Sequence, residues 1–351
     1  MTSKPMTDFR IDPRIKRTLA GFELPPAPNV ESRAELLAEF ESPDRVAEIA
    51  AMRAFLNSMD TEDIAPSTGL TIQNFEVVSA PDKNKILIQF IRPEGSAVLP
   101  CVYYIHGGGM AIFSCFDGNY RVWGRMLAAQ NVAVAMVDFR NSLSPSSSVD
   151  VAAFPASLND CISGLRWVHE NAALLRIDSK RLIVAGESGG GNLAISSTLQ
   201  LCREDDVDKI AGLYAMCPYI SGEGPLEEYP SQTENDGIML NLNNNRDSMA
   251  YGIEAFRDCN PLAWPRFATG EDVENFPKTM IRVHECDPLR DEGIAFYRLL
   301  AANGVQATCQ QIMGTVHAIE VFPACCPDLS RDAARSIAGF AKDNYPPVQT
   351  S

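Results

Sequence analysis

The spacing of apolar residues along the chain changes near residue 70. In residues 31–59, apolar side chains recur three and four positions apart, with charged residues between them. This spacing places the apolar side chains on one face of a helix. We therefore predict that about the first 60 residues are helical and that a different kind of structure follows them.

Beyond that point, short apolar runs alternate with longer segments of helical spacing. Strands are predicted at 75–80, 86–93, 101–109, 132–140, 181–186, 212–218, 278–285 and 305–313. Helices are predicted at 155–171, from 190 onward, at 291–304 and at 329–343. The alternation predicts the α/β class, with a mostly parallel central sheet and helices on both of its faces.

One segment interrupts this alternation. Residues 220–259 are polar and rich in Asn, Gly and Pro, apart from one short stretch with helical spacing. An insertion of this kind after a strand is typical of a lid or a binding loop. The sequence therefore places such a loop above the strand ends of the predicted sheet.

The charge of the chain narrows the choice of partner. Among 351 residues, 30 Lys and Arg stand against 45 Asp and Glu, which gives a net charge of −15. This charge repels phosphate backbones and anionic membrane surfaces, so we expect neither nucleic-acid nor membrane partners. No stretch has the length of a transmembrane helix, and the first residues lack the apolar region of a signal peptide. We expect a cytoplasmic protein that acts on a neutral small molecule.

The cysteines favour the same compartment. Ten cysteines are spread through apolar segments, and no two of them form a CxxC pair. A chain of this length does not depend on disulfides, so reduced and mostly buried thiols are expected. Zinc-ligand spacing is also missing from the sequence, which has four histidines. We expect no metal and no cofactor.

A Gly-Glu-Ser-Gly-Gly segment joins a predicted strand to the next helix. Its serine, Ser188, stands at the position of a nucleophile elbow, where a sharp turn makes the serine protrude. Side chains at Gly186 and Gly190 would clash across so tight a turn. The N-terminus of the following helix also favours negative charge near the serine. The alternative is a glycine-rich turn with an incidental serine.

A second glycine segment follows an earlier strand. It consists of His106 and three glycines, and it lies about 80 residues before the serine. Consecutive glycines let backbone N–H groups approach a substrate oxygen closely, which an oxyanion hole requires. A flexible loop is the alternative for three glycines alone, but the nucleophile elbow further along the chain favours an oxyanion hole.

A nucleophilic serine needs a histidine as its base. His106 belongs to the glycine segment, His169 lies within a predicted helix and His284 lies within a predicted strand. His317 follows a strand in a segment that can form a loop over the sheet. We therefore predict His317 as the base.

The acid that orients this base is expected at another strand end. Asp287 is the first carboxylate beyond the predicted strand, and a proline ends the strand behind it. Asp291 and Glu292 fit better as acids in the first turn of the next helix. Glu285 is the weaker rival for the acid role.

The HGGG, GESGG and DPLRDEG segments and the late histidine, in this order, resemble the bacterial hormone-sensitive-lipase-like esterases of the α/β-hydrolase superfamily. The resemblance runs from about residue 99 to residue 345. It implies an α/β-hydrolase fold with a helical cap. The implied cap consists of residues 1–60 and 220–258, and the implied catalytic core of residues 61–219 and 259–351.

The same resemblance implies a role for each candidate residue. Ser188 is implied as the nucleophile, Asp287 as the orienting acid and His317 as the base. The implied oxyanion hole consists of the backbone N–H groups of Gly107, Gly108 and Gly189.

Together these residues predict a serine carboxylesterase. It would hydrolyse short- to medium-chain esters of small molecules through an acyl-enzyme intermediate. Candidate pocket residues share an apolar side chain that could equally belong to the core: Met110, Phe116, Tyr219, Ile220, Met239 and Ile319.

Other activities use the same residues. An amidase, a lactonase or an acyltransferase has the same triad, and the sequence does not separate them from an esterase. A non-catalytic ligand receptor on this fold would have lost a triad residue, whereas all three are present here. Members of the family often dimerise, and a homodimer is left open because no apolar stripe in this sequence shows one.

Overall fold

The structure, a computed structural model, describes residues 4–21, 24 and 27–343. Eight strands of the described residues form one sheet: β1 (Leu70–Val78), β2 (Lys85–Pro93), β3 (Leu99–Ile105), β4 (Ala133–Asp138), β5 (Ile177–Glu187), β6 (Gly212–Met216), β7 (Thr279–Cys286) and β8 (Ala307–Val316). Their order in space is β1-β2-β4-β3-β5-β6-β7-β8. The pairs β1–β2 and β2–β4 are antiparallel, and all the other pairs are parallel. The predicted mostly parallel sheet is confirmed.

Helices cover both faces of this sheet. The described helices are α1 (Lys4–Thr7), α2 (Pro13–Thr18), α3 (Arg33–Phe40), α4 (Pro43–Ser58), α5 (Gly118–Ala128), α6 (Ala156–Glu170), α7 (Ala172–Leu175), α8 (Gly189–Arg203), α9 (Ser231–Glu234), α10 (Arg246–Tyr251), α11 (Ile253–Arg257), α12 (Arg290–Ala302) and α13 (Pro327–Lys342). Within the described residues, none of these helices is long and apolar enough to cross a membrane.

All eight predicted strands are present, with ends that differ by a few residues. The glycines that the prediction included in the third strand lie after it, because β3 ends at Ile105. The helix α5 is absent from the prediction, although Val122 and Met126 are spaced as on one helix face. The last two residues of the predicted resemblance, 344 and 345, lie outside the described residues.

Side chains of the central strands alternate between two apolar layers. In β3, Tyr103 and Ile105 pack in the cluster beneath α6, α8 and α12, whereas Val102 and Tyr104 pack in the cluster beneath α5 and α13. Every residue of β3 and β4 is buried. A strand enclosed on both faces needs apolar side chains at consecutive positions, which explains the continuous apolar runs in the sequence.

Six of the ten cysteines are buried, in line with the predicted burial of most thiols. The adjacent thiols of Cys325 and Cys326 lie 3.9 Å apart without a disulfide.

The N-terminal helices contact the insertion that follows β6. The side-chain amide of Asn245 accepts from the N–H of Val30 and donates to its carbonyl, both at 2.9 Å. Arg246 also forms an ion pair with Glu39. A buried cluster joins both segments to the chain after β3 and β4: Val30, Leu36, Ala111, Leu143, Met249 and Ala250. The two segments implied as a cap therefore pack together, although 215 residues separate Val30 from Asn245.

A buried ion pair fixes the chain where β4 ends. Asp160 on α6 is completely buried, and its two carboxylate oxygens accept from Arg140 at 2.8 and 3.0 Å. Ser79 and Asn84 donate to the same carboxylate at 2.6 and 3.1 Å. Because both oxygens have several donors, the cost of burying the charge is compensated.

Replacing Asp160 with Ala should therefore destabilise the protein strongly. The substitution leaves the Arg140 guanidinium without its buried partner, and a loss of about 3–5 kcal/mol in the free energy of unfolding is expected. Asp82 also contacts Arg140, at 2.9 Å, but its side chain is 47% exposed. Asp82→Ala is therefore the matched control, with an expected loss of about 0–1 kcal/mol. Thermal unfolding followed by circular dichroism measures both, and equal losses would contradict the assignment.

Candidate active site

Ser188 lies in the turn between β5 and α8. Its backbone angles, φ 57° and ψ −122°, are outside the regions that residues with side chains ordinarily adopt. Its N–H donates to the carbonyl of Met216 at 3.0 Å, and its carbonyl accepts from the N–H of Tyr219 at 3.0 Å. These bonds tie the turn to the end of β6. Every residue from 182 to 199 is buried except Ser188, which is half-buried.

The glycines around Ser188 are required by close contacts between backbones. A Cβ built on Gly186 would overlap the carbonyl of Gly190, and one built on Gly190 would overlap the carbonyl of Ile105 in β3. The helix α8 therefore begins directly against the neighbouring strand. No larger residue fits at either position without moving a backbone segment.

His317 and Asp287 meet at the same edge of the sheet. His317 follows β8 and Asp287 follows β7, and these two strands are parallel neighbours. The Nδ1 atom of His317 lies 2.8 Å from Oδ2 of Asp287. Asp287 is completely buried, and its Oδ1 accepts from the N–H of Leu289 at 2.9 Å. His317 is 6% exposed, so the pair is shielded from water except on the histidine side.

The strand between β5 and β7 brings Ser188 near this pair. Cys217 follows Met216, whose carbonyl binds the Ser188 N–H. The Cys217 thiol and the ligand atoms of Asp287 and His317 lie within 4.8 Å of one another. Parallel strands in the order β5-β6-β7-β8 thus place the residues that follow them along one edge.

The same three residues form the group in the described chain that could hold a metal ion. His317 Nδ1 and Asp287 Oδ2 already bond each other, so an ion between them would have to break that bond. Burial also raises the pKa of the Cys217 thiol well above its ordinary value, which disfavours the thiolate that metals bind. The arrangement therefore fits a proton-transfer pair better than a metal centre.

The other candidates for base and acid have different partners. His106 is completely buried, stacks on Phe139 at 4.3 Å and contacts the carbonyl of Gly107 through Nδ1. His169 is half-buried on α6. The carboxylate of Glu285, the rival acid, accepts from the N–H of Gly314 at 2.7 Å, whereas His317 bonds Asp287.

The glycine segment after β3 differs from the prediction at one residue. The N–H of Gly107 donates to Oε1 of Glu187 at 2.7 Å and lies 3.1 Å from the hydroxyl of Tyr120. This N–H is therefore occupied within the protein and is not available to a substrate oxygen. The prediction of Gly107 as an oxyanion donor is corrected on this ground.

Two other glycines of the segment have free N–H groups. Gly108 and Gly109 have φ angles of 100° and 63°, and no described residue accepts from their backbone nitrogens. A Cβ built on Gly189 would lie 2.7 Å from the nitrogens of both Gly109 and Met110. The glycine segment and the start of α8 therefore face each other at contact distance. Gly189 is the first residue of α8, so its N–H has no partner within the helix. The free donors here belong to Gly108, Gly109 and Gly189.

Glu187 connects the nucleophile turn to the glycine segment. Its side chain accepts from Gly107, from the hydroxyl of Tyr120 at 2.6 Å and from the hydroxyl of Tyr104 at 2.5 Å. Burial raises the pKa of this carboxyl to about 7, although the two tyrosine hydroxyls oppose the rise. The sequence shows an acid next to the serine, but nothing in it indicates these tyrosine partners.

Glu292 has an environment that its sequence position does not reveal. It lies in the first turn of α12, as predicted, but it is completely buried. Its Oε1 is 3.4 Å from the N–H of Ile220, and burial raises its pKa to about 8. Glu292 thus contacts the backbone of the segment that follows β6, at Ile220.

The predicted pocket residues fall into three separate apolar clusters. Met110, Tyr219 and Ile220 belong to the main core cluster. Phe116 packs against the cluster beneath α5 and α13. Met239 and Ile319 belong to a third cluster, which also contains Cys286 and Val316. Met110 and Tyr219 lie near Ser188, since their backbones contact Gly189 and the Ser188 carbonyl.

Known proteins are similar to this chain over most of its length. The α/β hydrolase fold family matches residues 102–321. The carboxylesterase NlhH of Mycobacterium tuberculosis is 31% identical over 247 residues, which cover 70% of this chain and 74% of that protein. The arylesterase of Saccharolobus solfataricus is 29% identical over 249 residues, which cover 70% of this chain and 74% of that protein.

Solved structures extend the similarity to nearly the whole fold. Esterase Est22 is 55% identical, with a TM-score of 0.96 and coverage of 97% of this chain and 99% of that one. Brefeldin A esterase, a bacterial homologue of human hormone-sensitive lipase, is 33% identical, with a TM-score of 0.83 and coverage of 96% and 94%. The chain therefore belongs to the hormone-sensitive-lipase-like esterases of the α/β-hydrolase fold family.

Proposed function

We propose that this protein is a serine carboxylesterase whose catalytic triad is Ser188, His317 and Asp287. The observation that carries the proposal is the 2.8 Å contact between His317 Nδ1 and Asp287 Oδ2, at the sheet edge where the strained Ser188 turn lies. Carboxylesterases and arylesterases among the relatives support the same class of reaction.

The contact with Asp287 determines which nitrogen of His317 is free for catalysis. With Nδ1 bonded to the carboxylate, Nε2 is left to accept the proton of Ser188 as the serine attacks the ester carbonyl. Asp287 then stabilises the imidazolium. His317 returns the proton to the leaving alcohol, and water hydrolyses the acyl-serine by the reverse sequence of proton transfers.

The oxyanion of the tetrahedral intermediate is assigned to the N–H groups of Gly108, Gly109 and Gly189. Their nitrogens have no acceptor among the described residues, and the two backbone segments that carry them are in contact. Removing one such donor costs about 2.7–4 kcal/mol in comparable sites. Glu187 holds the Gly107 N–H and so fixes the backbone from which the next two donors project.

We assign the substrate size from the two segments predicted to form a cap. We assign residues 1–60 and 220–258 to a cap on a catalytic core of 61–219 and 259–351, which the contacts between Val30 and Asn245 support. A cap of this kind favours short- to medium-chain esters over long acyl chains. A structure of the related esterase Est22 was solved with p-nitrophenol, the alcohol that p-nitrophenyl esters release, so these esters are suitable test substrates. A cytoplasmic location and a homodimer stay predictions.

Ester hydrolysis should depend on Ser188 and on acyl-chain length. With p-nitrophenyl esters from acetate to palmitate, activity is expected to peak at short to medium chains. Ser188→Ala should lower kcat by about 10⁶-fold, as in a comparable triad. Ser197→Ala, a buried serine on the same helix, is the matched control and should keep near wild-type activity. Turnover by Ser188→Ala at the wild-type rate would refute the assignment.

Glu187 should make stability depend on pH in a defined window. Because burial raises its pKa to about 7, the folded protein keeps a proton that the unfolded chain releases from about pH 4 upward. The stabilisation is present below about pH 4 and is lost as the pH rises to about 7. Glu187→Gln cannot ionise, so its melting temperature minus that of wild type should increase across this window and then level off.

The difference in melting temperature between Glu187→Gln and wild type is measured by differential scanning fluorimetry between pH 4.5 and 8.5. Glu48→Gln, on an exposed position of α4, supplies the baseline for a lost carboxyl. Wild-type and Glu187→Gln curves that run parallel throughout would show that Glu187 does not titrate in this range.

A further inference from the structure

The loop that carries His317 is held on both sides by one buried side chain. Two residues before His317, Thr315 has its Oγ1 2.8 Å from Nδ1 of His284. Three residues after His317, Glu320 has its Oε2 3.0 Å from Nε2 of His284. His284 lies in β7 and is completely buried. A single imidazole thus spans the residues that flank the catalytic base.

The bond to Thr315 has a defined direction. The Thr315 hydroxyl donates its one proton to the carbonyl of Ile312 at 2.7 Å. It can therefore only accept from Nδ1 of His284. The two ring nitrogens of His284 thus face oxygen atoms on either side of His317: that of Thr315 at the end of β8 and that of Glu320 beyond it.

Glu320 is held in addition by a guanidinium. Nε of Arg282, also in β7, lies 2.9 Å from Oε1 of Glu320, and Nη2 lies 3.2 Å from Asp332 of α13. Burial opposes ionisation of Glu320, but the charges of His284 and Arg282 lower its pKa to about 2. Glu320 is thus a buried anion that needs both partners.

The strand that holds the loop also supplies the acid of the triad. Asp287 follows β7 three residues after His284 and bonds His317 directly. Side chains in and just after β7 therefore contact three residues in and around the base loop: Thr315, His317 and Glu320. The loop needs such support, because Ala318 has a left-handed backbone with φ 51°.

We propose that His284 is a positioning residue for His317, which it keeps in register with Asp287 and Ser188 by fixing Thr315 and Glu320. This inference rests on the triad assigned above. His284 is too deeply buried to touch substrate, so its contribution acts through the geometry of the base. A shift of about 1 Å in such a group costs about 100-fold in rate.

The first test is His284→Leu, which removes both contacts and replaces the imidazole with an apolar side chain of similar size. We expect kcat to fall by about 10- to 100-fold with KM within about twofold, because the substrate site itself is intact. His284→Asn retains a polar atom near the Nδ1 position and His284→Gln one near the Nε2 position. Each should recover part of the lost kcat.

A milder pair of variants tests one contact alone. Thr315→Val keeps the shape of the buried side chain but removes the hydroxyl, and Thr315→Ser keeps the hydroxyl. We expect a lower kcat for the valine variant and recovery for the serine variant. This pair keeps the proposal falsifiable if His284→Leu does not fold.

Two controls distinguish a positioning effect of His284 from a general loss of stability and from an error in the assigned triad. Asp160 bonds Ser79, Asn84 and Arg140 and none of the residues around His317, so Asp160→Ala should reduce the melting temperature with little change in kcat at 25 °C. Wild type and Ser188→Ala, assayed in parallel, report on the triad independently. Wild-type kcat in both His284→Leu and Thr315→Val would overturn the proposal. So would losses of kcat no larger than that of Asp160→Ala at an equal drop in melting temperature.

Discussion

The turn from β5 into α8 is the constraint on which the site depends. Ser188 has a backbone conformation that costs about 1–3 kcal/mol. This conformation persists because the surrounding backbone holds Ser188 in place. Gly186 and Gly190 allow α8 to begin against β3, while Met216 and Tyr219 hold the Ser188 backbone from the β6 side. The neighbours of Ser188 in the chain are buried in the core, and the sharp turn leaves Ser188 itself half-buried.

Buried carboxyl groups transmit this geometry to the rest of the site. Glu187 joins the turn to the glycine segment through Gly107, Asp287 joins β7 to His317, and Glu320 joins β7 to the loop beyond His317. Each carboxyl is shielded from water and has specific donors, so each contact has a direction as well as an energy. The partners differ: Glu187 accepts from a backbone N–H and two tyrosine hydroxyls, whereas Glu320 accepts from Arg282 and contacts His284.

The insertion after β6 is linked to the same framework. The side chain of Asn235, which is completely buried, donates to the carbonyls of Glu285 and Asp287 at 3.2 and 3.0 Å. It also accepts from Arg10 of the N-terminal segment at 2.9 Å. The insertion therefore contacts the backbone of Asp287, the proposed catalytic acid, directly, and the N-terminal segment is linked to it through Asn235. Movement of either segment is expected to displace Asp287.

The sequence by itself determined the α/β class and the order of the eight strands, although not every helix, because apolar periodicity is a local property of the chain. Glycine spacing and strand ends also singled out Ser188, Asp287 and His317 as candidates for the site. The sequence could not decide which glycine N–H groups are free, since Gly107 is occupied by a carboxyl 80 residues away. Nor could it show that His284, which reads as an ordinary strand residue, reaches Thr315 and Glu320. Those contacts exist only when β7 and β8 lie side by side, so the tertiary structure alone decided them.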